Sequence, residues 1–561
     1  MDEQKRLARA TARLRNVVRP NVVIDPPPRD VLLERDVEVV ARDGVVLRVN
    51  VFRPPGDGTY PVLLSAQPYG KDDLPRARRR GGYRPAFQFR VLPQSQTVRH
   101  SAWAGWEAPD PAYWVPRGYV LVNADLRGWG RSDGAGGLLD PRQDGADCHD
   151  LIEWAARQPW SNGRVGMNGV SYLAISQWAA AATRPPHLAA ICPWEGFTDC
   201  YRDFARPGGI REDGFMRVWA TMMRRLAGSR PDTTVDLRRQ QVARPQYDAW
   251  WADRDADIER IDVAALVCGS FSDHNLHSRG SFEGFRRISS TQKWLYTHRG
   301  PKWATYYGPD ALDAQVRFFD HFLAGADNGQ AGQPPVRLEV REDADTITSV
   351  RHERQWPPAD TVWQRWHLDL GGAALTAAAP GGPATASFAT RRGNLRFTHR
   401  FTTDTEVVGP MLLRLAISAH GCDDVCLFAG IRKLRHGRPV TFESAFGFRG
   451  PLVTFGMRRA AHRRTAPAPT PPWLPFHPDD RAEPLRPGEV VTVDIALHPS
   501  ATLFRAGEEL QLDIRGDWFH PRNPFTGHFP AFYERSPRGR CVLHSAPAIG
   551  SHLDIPIRPL G

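Results

Sequence analysis

The residues in this 561-residue sequence that most strongly suggest chemistry are a serine with small neighbours, in Gly169-Val170-Ser171-Tyr172-Leu173-Ala174. The apolar run before Gly169 predicts a strand, and the run after Ser171 predicts a helix. A serine at such a turn stands clear of the sheet edge beside the positive helix end, where its hydroxyl can attack a carbonyl carbon. Leu173 replaces the last glycine of the strict Gly-x-Ser-x-Gly pattern, so an ordinary helix-capping serine remains the alternative on these residues alone.

A nucleophilic serine needs a base, and the base needs a third group that orients it. In α/β-hydrolases these partners follow the serine in the order acid, then histidine. Asp273 follows the predicted strand 264–267, and His298 follows the predicted strand 294–296. Because ligands bind at the carboxyl ends of parallel strands, the sequence predicts Asp273 as the acid and His298 as the base.

Three other histidines compete with His298 for the role of base. His274 and His277 lie too near Asp273 to come from a separate strand end. His321 lies on a predicted amphipathic helix, where packing or exposure is the commoner role.

Acyl transfer also requires hydrogen-bond donors for the oxyanion of the tetrahedral intermediate. The backbone amide of Tyr172, directly after the serine, is the first predicted donor. Tyr69 lies in the loop after the predicted strand 62–64, where the second donor normally arises, and its phenol can donate directly. The alternative for Tyr69 is an aromatic side chain that packs against neighbouring helices.

Other motifs do not support a cofactor or a metal. The loop Asp125–Gly134 contains Gly-x-Gly, but Asp133 stands at the third glycine of a dinucleotide fingerprint. Gly70-Lys71 is followed by an aspartate, unlike a phosphate-binding loop. Cys422 and Cys426 have no second pair at zinc spacing, so we predict no metal and no cofactor.

Two kinds of element must position these residues. An Asp43-Gly44 pair between alternating apolar runs predicts an antiparallel hairpin over 37–52. Short apolar runs then alternate with helices, which predicts an α/β domain with a mainly parallel sheet covered on both faces. The predicted strands are 62–64, 119–122, 164–167, 188–191, 264–267 and 294–296, and the predicted helices are 146–156, 172–182, 215–226, 249–258 and 311–323.

The pattern divides the chain into an N-terminal extension, 1–28, an α/β catalytic domain, 29–335, and a C-terminal all-β domain, 336–561. A tryptophan-rich helical stretch at about 197–260 interrupts the alternation and is predicted to cap the ligand end of the sheet. After Pro334-Pro335, short alternating runs predict a β-sandwich or jelly roll. Its predicted strands are 336–340, 363–370, 395–401, 411–417, 490–497 and 510–514, with a flexible loop over 371–386.

Composition narrows the class of protein. With 41% apolar and 24% charged residues, the chain is globular rather than disordered. The net charge of +11 comes mainly from scattered arginines, and the cluster between Arg76 and Arg84 is expected to be a solvated loop, so no nucleic-acid partner is predicted. No run of 18 apolar residues predicts a membrane span. Seven cysteines without an export signal favour a reducing compartment, the cytoplasm.

The sequence resembles the group of serine hydrolases that includes cocaine esterase, X-Pro dipeptidyl-peptidases, α-amino-acid ester hydrolases and glutaryl acylases. The resemblance covers nearly the whole chain. The stretches that carry it are 42–44, 68–69, 125–134, 163–178, 193–196, 199–203, 302–303, 318–323, 408–410 and the last strands.

This resemblance implies an α/β-hydrolase domain, a helical cap and a C-terminal jelly roll. It also implies Ser171 as nucleophile, Asp273 as acid, His298 as base, and Tyr69 with the Tyr172 amide as oxyanion hole. Two departures stand out: Ala174 occupies the place of the family's second glycine, and the common Gly-Pro-Trp is missing before His298.

The expected activity is hydrolysis of a small ester or amide through an acyl-serine intermediate. The alternatives are an X-Pro dipeptidyl-peptidase or α-amino-acid ester hydrolase, for which Glu195, Asp199 or Asp203 are candidates to hold a substrate ammonium, and, in another class, an inactive scaffold that binds ligands through a lectin-like jelly roll. The expected partner is a small ester, amide or short peptide, and homo-oligomerisation is left open.

Overall fold

The computed structural model describes residues 11, 13–227, 236–444, 448–522, 531–546 and 550–560. Residues 1–10 of the predicted extension and 228–235 of the predicted cap lie outside the described residues. Strands of the first part are β1 (Val22–Asp25), β2 (Leu32–Val40), β3 (Val46–Arg53), β4 (Tyr60–Gln67), β5 (Arg76–Ala77), β6 (Tyr83–Arg84), β7 (Val98–Ser101), β8 (Val120–Asp125), β9 (Ser161–Val170), β10 (Leu188–Trp194), β11 (Ala264–Ser270), β12 (Lys293–His298), β13 (Val336–Arg341) and β14 (Ile347–Glu353).

Helices surround these strands. They are α1 (Phe87–Val91), α2 (Pro111–Trp114), α3 (Pro141–Ala156), α4 (Tyr172–Ala182), α5 (Phe215–Ala227), α6 (Leu237–Ala243), α7 (Ala249–Ala252), α8 (Ser278–Arg287), α9 (Lys302–Tyr306) and α10 (Pro309–Phe319), beside a helical stretch at 13–18. Short 3₁₀ or π turns lie at Val115–Arg117, Cys200–Ala205, Pro207–Gly209, Ile258–Arg260, Asp320–Ala324, Gln330–Gly332 and Ala460–His462. Within the described ranges, none of the helices has both the length and the apolar character to cross a bilayer.

The main sheet confirms the predicted α/β class. Its strand order is β2-β3-β8-β4-β9-β10-β11-β12-β13-β14, and the pairs from β8 to β13 are parallel. These parallel strands are apolar runs buried on both faces, as a sheet covered by helices requires. The predicted hairpin is β2 with β3, and Gly44 at its turn has a φ of +86°, which glycine adopts without steric cost.

The main sheet extends past residue 335, where the all-β domain is predicted to begin. Strand β13, which the sequence places in the all-β domain, pairs in parallel with β12 and so extends the catalytic sheet. The same strand meets β23 (Val491–Phe504) through Arg341 and Thr502, so the two halves share a continuous backbone network. Residues of the predicted extension also join the body, because β1 pairs with β7.

The helical insertion lies between β10 and β11. The predicted helix 215–226 corresponds to α5, but the predicted helix 249–258 is wrong beyond α7. There Asp255 turns inward and accepts hydrogen bonds from the Cys200 amide at 2.9 Å and from the Tyr247 hydroxyl at 2.8 Å. The helix does not continue here, because the Asp255 side chain is used to accept these two hydrogen bonds instead.

The C-terminal half is built from mostly antiparallel strands around a second core. The strands are β15 (Val362–Asp369), β16 (Ala374–Thr376), β17 (Ala384–Ala389), β18 (Asn394–Arg400), β19 (Thr405–His420), β20 (Cys426–Arg435), β21 (Arg438–Pro439), β22 (Leu452–Arg459), β23 (Val491–Phe504), β24 (Glu509–Arg515), β25 (Arg540–Ser545) and β26 (His552–Pro559).

The long β19 connects the strands of this half. It pairs with β23 along one edge and with β26 and β25 along the other. From β23 the pairing continues through β22, β20 and β24 to β18. The predicted loop 371–386 is wrong in part, because β16 and the start of β17 lie within it.

Candidate active site

Ser171 occupies a strained turn between β9 and α4. Its φ of 61° and ψ of −116° lie outside the regions that non-glycine residues ordinarily adopt, and such strain is concentrated at functional sites. Gly169 two residues earlier has a φ of +149°, and a Cβ there would lie 2.5 Å from the Leu173 Cβ. The sequence therefore folds into the sharp strand-to-helix turn that its small residues predict.

The alanine that replaces the family's second glycine is accommodated by a glycine on the next strand connection. A Cβ on Gly196, just after β10, would lie 2.7 Å from the Cβ of Ala174. The two positions thus share space for one methyl group, which Ala174 supplies.

We expect Gly196→Ala to destabilise the protein by about 1–3 kcal/mol, because the added methyl overpacks against α4. Thermal unfolding measures the loss. Gly332→Ala is the matched control, since a Cβ there meets no atom within 4 Å. Equal melting temperatures for the two variants would contradict this account of the turn.

The base position is where the structure differs from the sequence prediction. The Nε2 atom of His277 lies 3.0 Å from the Oγ of Ser171, and its Nδ1 lies 3.4 Å from the Oδ2 of Asp273. The backbone amides of His277 and Ser278 both bond to the Asp273 carbonyl, forming a helical turn. Side chains four residues apart on such a turn face each other, which places the histidine between the acid and the serine.

His298 is not at the serine, and the prediction of it as the base is corrected. It is the last residue of β12, paired with Ser270 of β11, and its Nε2 lies 3.1 Å from Oε1 of Glu195. Because His298 is still held inside the strand, it cannot reach beyond the sheet edge, whereas the loop after β11 turns back toward Ser171. The four-residue spacing of Asp273 and His277 was the signal in the sequence for this arrangement.

A lysine that is only 14% exposed joins the two histidine pairs, and it is not among the site residues predicted from the sequence. The Nζ of Lys302, in α9, lies 2.6 Å from Oδ2 of Asp273 and 3.6 Å from Oε2 of Glu195. The Asp273 oxygen that approaches His277 is therefore also the one paired with the ammonium.

Burial and the charges in this cluster shift the pKa values of His277 and Asp273. Burial, and after it the Lys302 ammonium, lowers the pKa of His277 to about 3, although Asp273 opposes the shift. Burial alone would raise the pKa of Asp273, but Lys302 and His277 lower it below its ordinary value. At neutral pH the site thus holds a neutral imidazole beside an ionised carboxylate.

Tyr69 lies on the other side of the nucleophile. Its hydroxyl lies beside the Ser171 side chain and accepts a hydrogen bond from Trp219 Nε1 at 3.4 Å. Burial, reinforced by Glu107, raises its pKa above the ordinary value, so the phenol stays a donor. The Tyr172 amide opens α4, where the first N–H groups have no acceptor in the preceding turn.

The Tyr172 side chain has a separate, structural contact. Its hydroxyl donates to Asp144 at 2.8 Å and accepts from the Leu139 amide at 3.0 Å. Only its backbone amide is therefore assigned to the site.

These groups open into a cavity of about 710 Å³. Its wall is mostly apolar and aromatic, and α5 from the helical insertion forms one side of it. The apolar lining side chains are Phe87, Val91, Leu92, Trp106, Phe215, Val218, Trp219, Met222, Leu226, Leu276 and Trp303.

The carboxylates that line the cavity have different states. Glu107 accepts a hydrogen bond from Trp303 Nε1 at 3.1 Å, and burial raises its pKa to about 8 despite the opposing effect of Lys302. Glu107 is therefore largely protonated at neutral pH. Asp273 is held by Lys302, and Asp73 also lines the cavity.

One group of donor atoms in the described part of the chain has metal-like spacing. The ligand atoms of Glu195, Cys268 and His298 lie within 4.8 Å of one another and are buried. Glu195 already pairs with His298 and with the Lys302 ammonium, and burial raises the pKa of the Cys268 thiol. A neutral thiol and a neighbouring ammonium oppose a cation, so the group fits a hydrogen-bonded support of the site better than a metal centre.

Known protein families, sequences and structures match this chain in both of its halves. The sequence pattern of the X-Pro dipeptidyl-peptidase (S15) family matches residues 43–301, and that of the X-Pro dipeptidyl-peptidase C-terminal non-catalytic domain matches 328–530. A cocaine esterase from Rhodococcus sp. is 24% identical, over 93% of this chain and 98% of its own. An α-amino acid ester hydrolase structure, 17% identical with a TM-score of 0.66, shares the fold.

A solved structure gives a nearer match. The crystal structure of a CocE/NonD family hydrolase from Staphylococcus aureus is 35% identical to this chain, with a TM-score of 0.88. The match covers 94% of this chain and 93% of that one. With both domains matched and the fold shared over nearly the full length, the chain belongs to the CocE/NonD family of hydrolases, serine hydrolases whose catalytic domain is of the X-Pro dipeptidyl-peptidase (S15) type.

Proposed function

We propose that the protein hydrolyses small, apolar acyl esters through an acyl-Ser171 intermediate. The observation that carries the proposal is the 3.0 Å approach of His277 Nε2 to Oγ of a serine held in a strained turn. A nucleophile within hydrogen-bond reach of a base, itself facing a carboxylate, is the arrangement that acyl transfer requires.

The steps follow from these contacts. His277 takes the Ser171 proton as the oxygen attacks the carbonyl carbon, and Asp273 stabilises the resulting imidazolium. The imidazolium then returns the proton to the leaving alcohol, and the carbon–oxygen bond to that alcohol breaks. A water molecule repeats the sequence on the acyl-enzyme, releasing the acid and free Ser171.

The negative charge on the carbonyl oxygen is held by two donors, the Tyr69 hydroxyl and the Tyr172 amide. We expect Tyr69→Phe to lower kcat by about 10²–10³-fold, because it removes one hydrogen bond to developing charge while keeping the ring. Steady-state kinetics and the melting temperature measure the effect. Trp219→Phe, which removes the donor to Tyr69 but keeps an aromatic ring in the cavity wall, is the control, and its kcat should fall much less.

A packing role for Tyr69 makes a different prediction. It predicts near-normal turnover in Tyr69→Phe and lost stability only in Tyr69→Ala. A phenylalanine variant within a few-fold of wild type would therefore exclude the oxyanion role.

The cavity favours ester hydrolysis over release of dipeptides. A peptidase that binds a free N-terminus needs an ionised carboxylate facing its substrate. The three candidates from the sequence are engaged elsewhere: Glu195 with His298 and Lys302, Asp199 with Arg202 at 2.8 Å, and Asp203 with Arg279 at 2.6 Å. None of the three lines the cavity. Asp73 does line it, but it shares the wall with Arg217, Arg225 and Arg238, whose positive charges disfavour a substrate ammonium.

A panel of substrates tests the proposal. It comprises aryl esters of acetate, butyrate and benzoate, aminoacyl esters, and Gly-Pro and Ala-Pro anilides. We expect turnover of the neutral esters and little or none of the anilides. Preferred hydrolysis of the anilides would establish the dipeptidyl-peptidase alternative instead.

Labelling with a fluorophosphonate separates an enzyme from an inactive binding protein. We expect one covalent label, which peptide mapping places on Ser171. An unlabelled protein that hydrolyses no ester of the panel would favour the binding-protein alternative.

A further inference from the structure

Lys302 is unusual because a lysine side chain is rarely buried unless it is paired. Its side chain is 14% exposed, yet it stands among the carboxylates of Asp273 and Glu195, which are 5% and 0% exposed. The mechanism above does not use it. Because its ammonium lies 2.6 Å from Asp273, its positive charge acts on the carboxylate that faces His277.

The geometry points to a positioning role: we propose that Lys302 holds the Asp273 carboxylate ionised and in place against His277, and thereby keeps His277 a neutral base under acidic conditions. The inference rests on the proposed function, in which His277 accepts the Ser171 proton. It concerns the charge beside the base rather than the base itself.

One carboxylate oxygen of Asp273 approaches both Lys302 and His277. Oδ2 of Asp273 lies 2.6 Å from the lysine Nζ and 3.4 Å from His277 Nδ1. The lysine thus holds the same carboxylate oxygen that faces the imidazole. At 2.6 Å, in a region largely shielded from water, the two opposite charges attract strongly.

The Lys302 ammonium also balances the negative charges near His277. Two charged groups act directly on His277, Asp273 from its own loop and Lys302 from α9. Glu195, which contacts both Asp273 and Lys302, and Glu107 lie next to them. Without the ammonium, the negative charges of this buried region would repel one another, and an added proton would relieve that repulsion first on the imidazole of His277, the more basic group. With it, Asp273 stays ionised and the imidazolium form of His277 is disfavoured.

The positive charge of Lys302 is itself maintained by the carboxyl groups around it. Burial would lower its pKa, but Asp273, Glu195 and Glu107 raise it above the ordinary value, so the ammonium persists. Glu195 is in turn held by His298 at 3.1 Å. The histidine that the sequence assigned as base therefore supports the lysine through Glu195.

The test is the pH profile of kcat/KM for neutral aryl esters in Lys302→Met, a substitution of similar length without charge. Removing the ammonium relieves repulsion of the imidazolium and leaves Asp273 unscreened, and both changes favour protonated His277. We expect the acid limb to move to higher pH by about one unit or more. Lys302→Arg, which keeps the charge, should leave the limb near that of the wild type.

Two further variants make the result decisive. Lys293→Met is the matched control, because that lysine lies on β12 and bonds to the Ile288 carbonyl at 2.9 Å, and its profile should not change. If Lys302→Met fails to fold, Lys302→Gln keeps a donor for Asp273 without the charge and makes the same test.

An acid limb that stays in place while kcat/KM or the melting temperature falls would overturn the proposal and leave Lys302 a structural residue. The rate of fluorophosphonate labelling is measured over the same pH range. Wild-type labelling at Ser171 with an unmoved limb in the variant refutes this inference alone. Failure of the wild type to label refutes the proposed function.

Discussion

Ser171→Ala is expected to lower kcat by about 10⁴-fold or more while the protein remains folded, because the groups of a serine hydrolase act as a unit and the nucleophile cannot be replaced by water at comparable rate. The melting temperature should change little, since the Ser171 side chain makes no capping hydrogen bond to the backbone of α4. Initial rates with an aryl ester and thermal unfolding measure both quantities.

Ser176→Ala is the matched control for this experiment. Ser176 is a buried serine of the same helix whose hydroxyl donates to the Ala66 carbonyl at 3.1 Å, away from the cavity. It should lose stability rather than turnover. Substantial activity in Ser171→Ala, or a fluorophosphonate label on another serine, would contradict the assignment.

The second large effect concerns the two histidines. His277→Ala is expected to lower kcat/KM by about 10⁴-fold or more, because it removes the group that takes the serine proton. His298→Ala should have a much smaller effect, since His298 touches Glu195 rather than Ser171. Parallel kinetics of the two variants compare the structural assignment directly with the assignment from the sequence.

The pH profile distinguishes the same two assignments in the wild type. Burial and Lys302 lower the pKa of His277 to about 3, so His277 remains neutral well below the ~6.5 of an unperturbed histidine. The ratio kcat/KM should therefore stay flat through neutral pH and fall only in more acidic solution. A limb near pH ~6.5 that disappears in His298→Ala would show that His298 is the base.

Much of the fold follows from local pattern. The helix 172–182 is predicted with the bounds that α4 has, because its apolar periodicity and the turn before it are both local. The hairpin of β2 and β3 follows in the same way from Asp43-Gly44. The loop predicted over 371–386 is partly wrong, since β16 forms a short hairpin with the preceding β15, and β17 pairs with β25, a strand distant in sequence.

The residues of the candidate site likewise differ in whether local sequence predicts their position. The turn at Ser171, the place of Asp273 on the loop after β11 and that of Tyr69 after β4 could be predicted from the sequence, because each depends on residue types next to a strand end. Which histidine contacts Ser171 could not be predicted, since that depends on where β12 ends and how the loop after β11 folds back. Tertiary structure also brought in Lys302, which lies 29 residues beyond Asp273 and pairs with it because the ends of adjacent parallel strands converge at one edge.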